Sequence, residues 1–155
     1  MLSLLSLVVS LGLVGATASS GARFRPDAWY RVLSKPAWTP PDLAFPIAWG
    51  ILYLLMAIAA WRVYLAEPSA ARSAGLVCYA LQLAANAAWS WLFFGRRKIV
   101  SALLDIVLLL GLIITTTALF SRASELAAWL MLPYILWVML ALALNASVWW
   151  LNRRA

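Results

Sequence analysis

Residues 99–120 read IVSALLDIVLLLGLIITTTALF, and Asp105 is the only charged side chain in this run. A helix needs about 20 mostly apolar residues to cross the hydrocarbon core of a bilayer. The run is long enough to do so, and its one acid lies about two turns from its basic flank. Residues 99–120 therefore predict a membrane-spanning helix, and this helix decides the fold class.

Four further apolar runs flank this one. We expect spans at about residues 1–22, 45–66, 73–94 and 125–151, and we expect the first to be a retained helix because it lacks the basic start of a signal peptide. The chain is 66% hydrophobic and 11% charged, which excludes disorder and argues against a soluble domain. The prediction is an all-α integral membrane protein, with residues 1–155 forming a single five-transmembrane-helix bundle.

Residues 23–43 differ in kind from the spans. They carry four basic residues, two acids and four prolines without a Gly/Ser tract, and their aromatic side chains need packing partners. We predict a structured first loop. This loop, the link after residue 94 and the C-terminus together hold nine of the 12 basic residues. The positive-inside rule then places the loop and the C-terminus in the cytoplasm and the N-terminus outside.

Several kinds of chemistry are absent from the sequence. There is no histidine and one cysteine, Cys78, so we expect no disulfide, no metal site and no histidine ligand for haem iron. No nucleophile has a base to activate it, and no phosphate-binding glycine motif is present. The net charge of +7 fits basic residues at membrane boundaries, so we expect no nucleic-acid partner.

Three spans each carry an aromatic stripe at helical spacing, and two of the stripes include an amide. Gln82 and Asn86 should face the bundle interior, because polar groups facing lipid are costly. There they either bond helix to helix or face a ligand, and both interpretations stay open. The candidate pocket residues are Trp49, Tyr53, Gln82, Asn86, Trp89, Tyr134, Trp137 and Asn145. Aromatic walls suit a flat, conjugated ligand.

The opposite face of the third span carries Ala80, Ala84 and Ala88 at intervals of four residues. Small residues at this spacing let two helices approach closely. We expect a homodimer through this face, with a contact to another span of the same chain as the alternative. Asp105 is interpreted as a structural partner for a nearby arginine or tyrosine, with proton coupling as its alternative.

Together these residues resemble the translocator protein family, also called tryptophan-rich sensory proteins or peripheral-type benzodiazepine receptors. The matching motifs are Trp29-Tyr30-x-x-Leu33-x-Lys35-Pro36-x-Trp38-x-Pro40-Pro41, Trp49-Gly50-x-Leu52-Tyr53-x-x-Met56, Gln82-Leu83-x-x-Asn86-x-x-Trp89-x-x-Phe93-Phe94-Gly95 with Ala102-Leu103-x-Asp105, and Leu132-Pro133-Tyr134-x-x-Trp137 with Leu144-Asn145 and Trp149.

The resemblance implies a five-helix bundle with a pocket that opens toward the first loop. It implies binding of protoporphyrin IX and haem-related tetrapyrroles and, in some members, of cholesterol and benzodiazepine-type drugs. Some members are reported to degrade porphyrin in light, and the positions implicated match Trp49 and Trp137. The family's sterol motif needs a tyrosine near the end of the fifth span. None stands at residues 144–150, as expected of a bacterial protein that meets little sterol.

We therefore expect a membrane receptor or sensor that binds tetrapyrroles, either protoporphyrin IX or haem-related ones, and that regulates porphyrin metabolism or a stress response. The free base is the favoured ligand, and no cofactor is required. The first loop, with Arg31, Lys35 and Trp38, would act as its lid. Lys35 or Arg31 would pair with the propionates of the pigment. The alternatives are a light- and oxygen-dependent porphyrin-degrading enzyme, a transporter of porphyrin or sterol-like ligands, and a scaffold. The sequence leaves sensing and transport open, because both need the same pocket.

Overall fold

A computed structural model describes residues 2–24 and 26–153 of the chain, with side chains of the first helix from residue 4 onward. Met1, Arg25, Arg154 and Ala155, which belong to the predicted first span, first loop and C-terminus, lie outside the described residues. The helices are α1 (Leu2–Arg23), α2 (Ala28–Val32), α3 (Ala44–Tyr64), α4 (Ala70–Ser90), α5 (Ile99–Ala123) and α6 (Glu125–Asn152). Five of them are long and apolar enough to cross a membrane. This confirms the predicted all-α membrane fold.

The five long helices form a closed ring in the order α1, α3, α6, α5, α4, in which α4 also packs against α1. Large side chains such as Met56, Ile113, Phe120 and Tyr134 fill the interior and are fully buried. Leu and Val side chains cover the outside, as a bundle surrounded by lipid requires. The ring order places α3, α4 and α6, the helices with aromatic stripes, around one interior.

Several helix boundaries differ from the sequence prediction, and the start of α4 and the end of α5 differ by three residues for local reasons. Helix α4 begins at Ala70 because the Ser69 hydroxyl accepts a hydrogen bond from the backbone N–H of Arg72. Helix α5 continues to Ala123, so that Ser124 alone links it to α6 and caps the start of α6. The polar Ser121 fits inside the longer α5 because its hydroxyl donates to the Ala118 carbonyl at 2.9 Å.

Helix α4 ends in a π-helical turn over Trp91–Gly95, which the sequence did not predict. The turn is closed by the backbone N–H of Arg96 on the Trp91 carbonyl at 2.8 Å. It is followed by Arg97 in the left-handed region, with φ of 54°. The turn carries Phe93 and Phe94 beneath the first loop, where the Tyr30 ring meets them edge-on at 6.1 and 5.4 Å.

The first loop is fixed to the same end of the bundle at two more points. Asp27 caps α2 by accepting from the Tyr30 N–H, and it also forms an ion pair with Arg97 at 2.8 Å. Ser34 and Asn152 form a reciprocal pair, in which the Ser34 N–H donates at 3.0 Å and its carbonyl accepts at 2.9 Å. The loop, the α4–α5 link and the end of α6 therefore share one end of the molecule.

Candidate ligand-binding site

A chain of hydrogen bonds joins α3, α4 and α6 inside the ring. The Tyr53 hydroxyl donates to Asn86 Oδ1 at 3.1 Å. Asn86 Nδ2 donates to the Tyr134 hydroxyl at 2.8 Å, and that hydroxyl donates to Gln82 Oε1 at 2.9 Å. Tyr134 and Gln82 are 0% exposed, and Asn86 is 3% exposed. The structure therefore brings together four of the predicted pocket residues in one largely buried polar network.

Two polar atoms beside this network have no hydrogen-bond partner among the described residues. They are Gln82 Nε2 and the hydroxyl of Tyr79, which lies one turn before Gln82 on α4. Tyr79 is buried, and its ring stacks on Phe120 with centroids 5.8 Å apart. Buried polar groups are nearly always hydrogen-bonded, so an unpartnered pair needs an explanation. Tyr79 is not among the predicted pocket residues, and no sequence pattern indicates that its hydroxyl lacks a partner.

Aromatic rings wall the network on the side of α3 and α6. The indole of Trp49 stacks on Tyr53 with centroids 5.3 Å apart, and it meets Tyr134 edge-on at 6.1 Å. Trp137 meets Phe45 edge-on at 5.7 Å. Phe45 was missed as a site residue, although it lies one helical turn before Trp49 and extends the same stripe. A flat ligand entering here would replace ring-to-ring contacts with its own.

The remaining two predicted pocket residues form a separate contact nearer the first loop. Trp89 Nε1 donates to Asn145 Oδ1 at 3.1 Å, and Asn145 Nδ2 donates to the Ile99 carbonyl at 3.1 Å. The Trp89 ring stacks on Phe93 at 5.4 Å, directly under the loop aromatics. The predicted set therefore divides into two levels, a central network and a second contact below the first loop.

The lid residues have unequal roles in this structure. The Lys35 ammonium donates to the carbonyls of Tyr30, Leu33 and Arg31 at 2.8, 3.0 and 3.4 Å, so all its donors close the end of α2. Arg31 is exposed, and its guanidinium has no ion pair within residues 2–24 and 26–153. Trp38 is half exposed. Of the two cations predicted to meet a ligand carboxylate, Arg31 is the one left available.

Asp27 is the charged group that anchors the first loop. The Tyr30 backbone N–H, and then the Arg97 guanidinium, hold the pKa of its carboxyl below the ordinary value of 3.8. The Arg97 guanidinium also lies 5.9 Å from the Trp29 ring. The ion pair is exposed, so it positions the first loop more than it stabilises the fold.

Two other sequence predictions concern α4 and α5. On α4, Ala80 and Ala84 are exposed and Ala88 is half-buried. On α5, Asp105 Oδ2 is buried without a hydrogen-bond partner in the described chain, so the expected arginine or tyrosine partner is not seen there.

Comparison with known proteins adds the family. The TspO/MBR family profile matches residues 4–151. The chain belongs to this family. It is 43% identical to "Protein CrtK" of Rhodobacter capsulatus, over 93% of this chain and 89% of that protein. It is 39% identical to the "Tryptophan-rich sensory protein" of Cereibacter sphaeroides, over 92% and 88%. It is 38% identical to the "Translocator protein" of Sus scrofa, over 93% and 85%.

Membership of the TspO/MBR family confirms the resemblance inferred from the motifs. The family and the five apolar helices show a multi-pass integral membrane protein. The names of the relatives, sensory and translocator proteins, support a membrane sensor or receptor.

Proposed function

We propose that this protein is a membrane sensor that binds a free-base tetrapyrrole, such as protoporphyrin IX, between α3, α4 and α6 and beneath the first loop. The observation that carries the proposal is the unpartnered pair in the interior, Gln82 Nε2 and the Tyr79 hydroxyl. A carboxylate oxygen or an unprotonated ring nitrogen of the ligand would accept the missing hydrogen bond from Gln82 Nε2, and a carboxylate would also accept one from the Tyr79 hydroxyl. The Trp49–Tyr53 stack supplies a flat aromatic surface for the macrocycle.

Arg31 is the cation we assign to a ligand propionate. Its side chain is exposed on α2 and unpaired within the described residues, whereas the Lys35 ammonium is held by three backbone carbonyls. A guanidinium beside a partly dry carboxylate forms a strong, bidentate hydrogen-bonded pair. Arg31→Ala should weaken porphyrin binding at low salt by removing the charge that pairs with the propionate. Lys35→Ala should affect binding only indirectly, by destabilising the C-terminal end of α2.

Tyr79→Phe tests the proposal directly. It removes a hydroxyl that has no hydrogen-bond partner among the described residues, and it keeps the ring that stacks on Phe120. If the hydroxyl binds the pigment, the dissociation constant should rise about fivefold, the value of one net hydrogen bond. Tyr64→Phe is the matched control, because Tyr64 is exposed at the opposite end of α3.

The measurement is a titration of the detergent-purified protein with protoporphyrin IX in the dark, followed by tryptophan quenching. Saturable binding that Tyr79→Phe weakens and Tyr64→Phe does not would support the site. A Trp49→Phe/Trp137→Phe variant should also bind more weakly, because it removes aromatic wall. Quenching that is linear, or the same in empty micelles, would mean that the pigment partitions into detergent. Illuminating the same samples in air tests the enzyme alternative. An enzyme should produce a new absorption band, and this band should form faster than the pigment bleaches in empty micelles.

We also propose the orientation. Contacts of the first loop with Arg97 and Asn152 bring the basic segments to one end of the bundle. The positive-inside rule assigns that end to the cytoplasm and the N-terminus to the outside. Green fluorescent protein fused to the C-terminus should fluoresce, and alkaline phosphatase fused there should be inactive. The reverse result would invert the orientation.

A further inference from the structure

A basic groove lies at the loop end of the bundle, where α5 begins and α6 ends. It has a volume of about 420 Å³ and is lined by Arg97, Lys98, residues 99–101, Trp149, Asn152 and Arg153. Its lining contains three cationic side chains and no acid. We call this the anion groove, because its charge selects a negative ligand.

The cations of the anion groove are only partly neutralised by the protein. Arg97 is paired with Asp27, the one ion pair within residues 2–24 and 26–153. The Arg153 guanidinium lies over the Trp150 ring at 3.1 Å, a contact that holds it in place without cancelling its charge. Lys98 and Arg153 therefore supply the charge available to a ligand.

The start of α5 adds hydrogen-bond donors to the same groove. Ile99, Val100 and Ser101 form its first turn, and Lys98 before them gives no side-chain cap. The first turn of a helix has backbone N–H groups without intrahelical partners and carries a partial positive charge. The Ser101 hydroxyl adds another donor in the lining. Cations and donors together match the oxygens of a phosphate group.

An apolar groove adjoins the anion groove, and Trp149 lines both. This second groove lies between α5 and α6 and has a volume of about 530 Å³. Its lining includes Pro36, Leu103, Ala146, Trp149, Trp150 and Leu151. We call it the acyl groove. Leu103 lies one helical turn deeper along α5 than Ile99, the residue that lines the anion groove. The polar site therefore opens onto an apolar surface that follows the membrane helices.

We propose that the anion groove and the acyl groove together bind one anionic phospholipid. Its phosphate would lie against Lys98, Arg153 and the first turn of α5, and one acyl chain would pack along Leu103 and Trp150. The juxtaposition fits a lipid better than a free phosphate ion, because the charged groove continues into an apolar one at the boundary of the membrane. This site is separate from the interior tetrapyrrole site, so either can fail without the other.

The charge contribution sets the size of the expected effect. A basic residue at an anionic membrane surface contributes about fivefold in affinity. Lys98→Gln/Arg153→Gln should therefore lower the affinity for phosphatidylglycerol about 25-fold, down to that for phosphatidylcholine. Arg62→Gln/Arg72→Gln is the matched control, because it removes the same charge at the opposite end of the bundle.

Native mass spectrometry of the delipidated, detergent-purified chain counts the bound lipids at each concentration. We expect the protein to bind one phosphatidylglycerol tightly and phosphatidylcholine more weakly. The preference for phosphatidylglycerol should be lost in Lys98→Gln/Arg153→Gln and kept in the control pair. Leu103→Asp should weaken binding without changing the basic groups, and Lys98→Gln alone serves if the double variant does not fold. Inorganic phosphate should not displace the lipid at millimolar concentration.

Three results would overturn the proposal: equal affinity for the two lipids, equal loss in the control pair, or full displacement by phosphate, which would show an anion site without a lipid. The porphyrin titration of Lys98→Gln/Arg153→Gln should match that of the wild type, which separates this site from the proposed function.

Discussion

Substituting Tyr134 by phenylalanine should cost more stability than any other hydroxyl deletion in the interior network. The Tyr134 hydroxyl accepts from Asn86 and donates to Gln82, and all three side chains are excluded from solvent. Interhelical hydrogen bonds in membrane proteins are worth about 0.6 kcal/mol on average and up to about 1.7 kcal/mol. Two such bonds lost at once, with no water to replace them, should lower the free energy of unfolding by about 2 kcal/mol.

Two further tyrosines calibrate this value within the same molecule. Tyr53→Phe removes one hydrogen bond, to Asn86, and should cost about 0.6 kcal/mol. Tyr79→Phe removes no hydrogen bond, so it should leave the stability unchanged or raise it slightly. The three variants make the same chemical change, and they differ in how many bonds the hydroxyl makes.

The assay is unfolding in mixed micelles with increasing sodium dodecyl sulfate, followed by helical circular dichroism. The order of stability loss should be Tyr134→Phe, then Tyr53→Phe, then Tyr79→Phe. A Tyr134→Phe loss no larger than that of Tyr79→Phe would refute the network as a stabilising element.

Three other predictions follow from the loop end and from the outer face of α4. Gly95→Ala places a Cβ 2.8 Å from Phe24 Cδ1, so it should cost about 1–3 kcal/mol in the mixed-micelle assay, and Phe24→Leu should recover part of the loss. Because the Tyr30 backbone N–H and the Arg97 guanidinium hold the folded-state pKa of Asp27 below 3.8, its charged carboxylate should raise the melting temperature slightly relative to Asp27→Asn at pH 6, and the difference should vanish as the pH falls through that lowered pKa. A difference that does not shrink on acidification below pH 3.8 would contradict this. Ala84→Leu should convert the homodimer that we propose through the exposed face of α4 to a monomer in light scattering, and a persistent dimer would place the interface elsewhere.

The fold could be predicted from the sequence because the bilayer imposes a simple length rule. Each apolar run had to become a helix, and the structure shifts their ends by only a few residues. The ring order could not be predicted in the same way, because it depends on contacts between distant segments. The pairing of Ser34 with Asn152 spans 118 positions of the chain and leaves no local signal.

The sequence also predicted which side chains of the candidate site face the interior, but not all of the contacts that they make. Helical spacing placed Gln82 and Asn86 on one face of α4, and the structure shows both in the interior. Spacing could not show that Lys35 would close α2 with its ammonium, because that depends on how the loop turns back on itself. It also could not show the π-helical turn at Trp91–Gly95, because no proline or glycine pair marks its start.

The two interpretations of Gln82, helix-to-helix bonding and ligand binding, turn out to concern different atoms of one side chain. Its Oε1 accepts from Tyr134 and so holds α4 to α6, whereas its Nε2 has no partner in the described chain. Packing alone does not account for Nε2, because a bundle selected only for stability would not bury an unsatisfied amide N–H. The same holds for Tyr79, where a phenylalanine would stack on Phe120 equally well. The polar atoms that do not serve the fold are therefore the strongest support for a ligand in this interior.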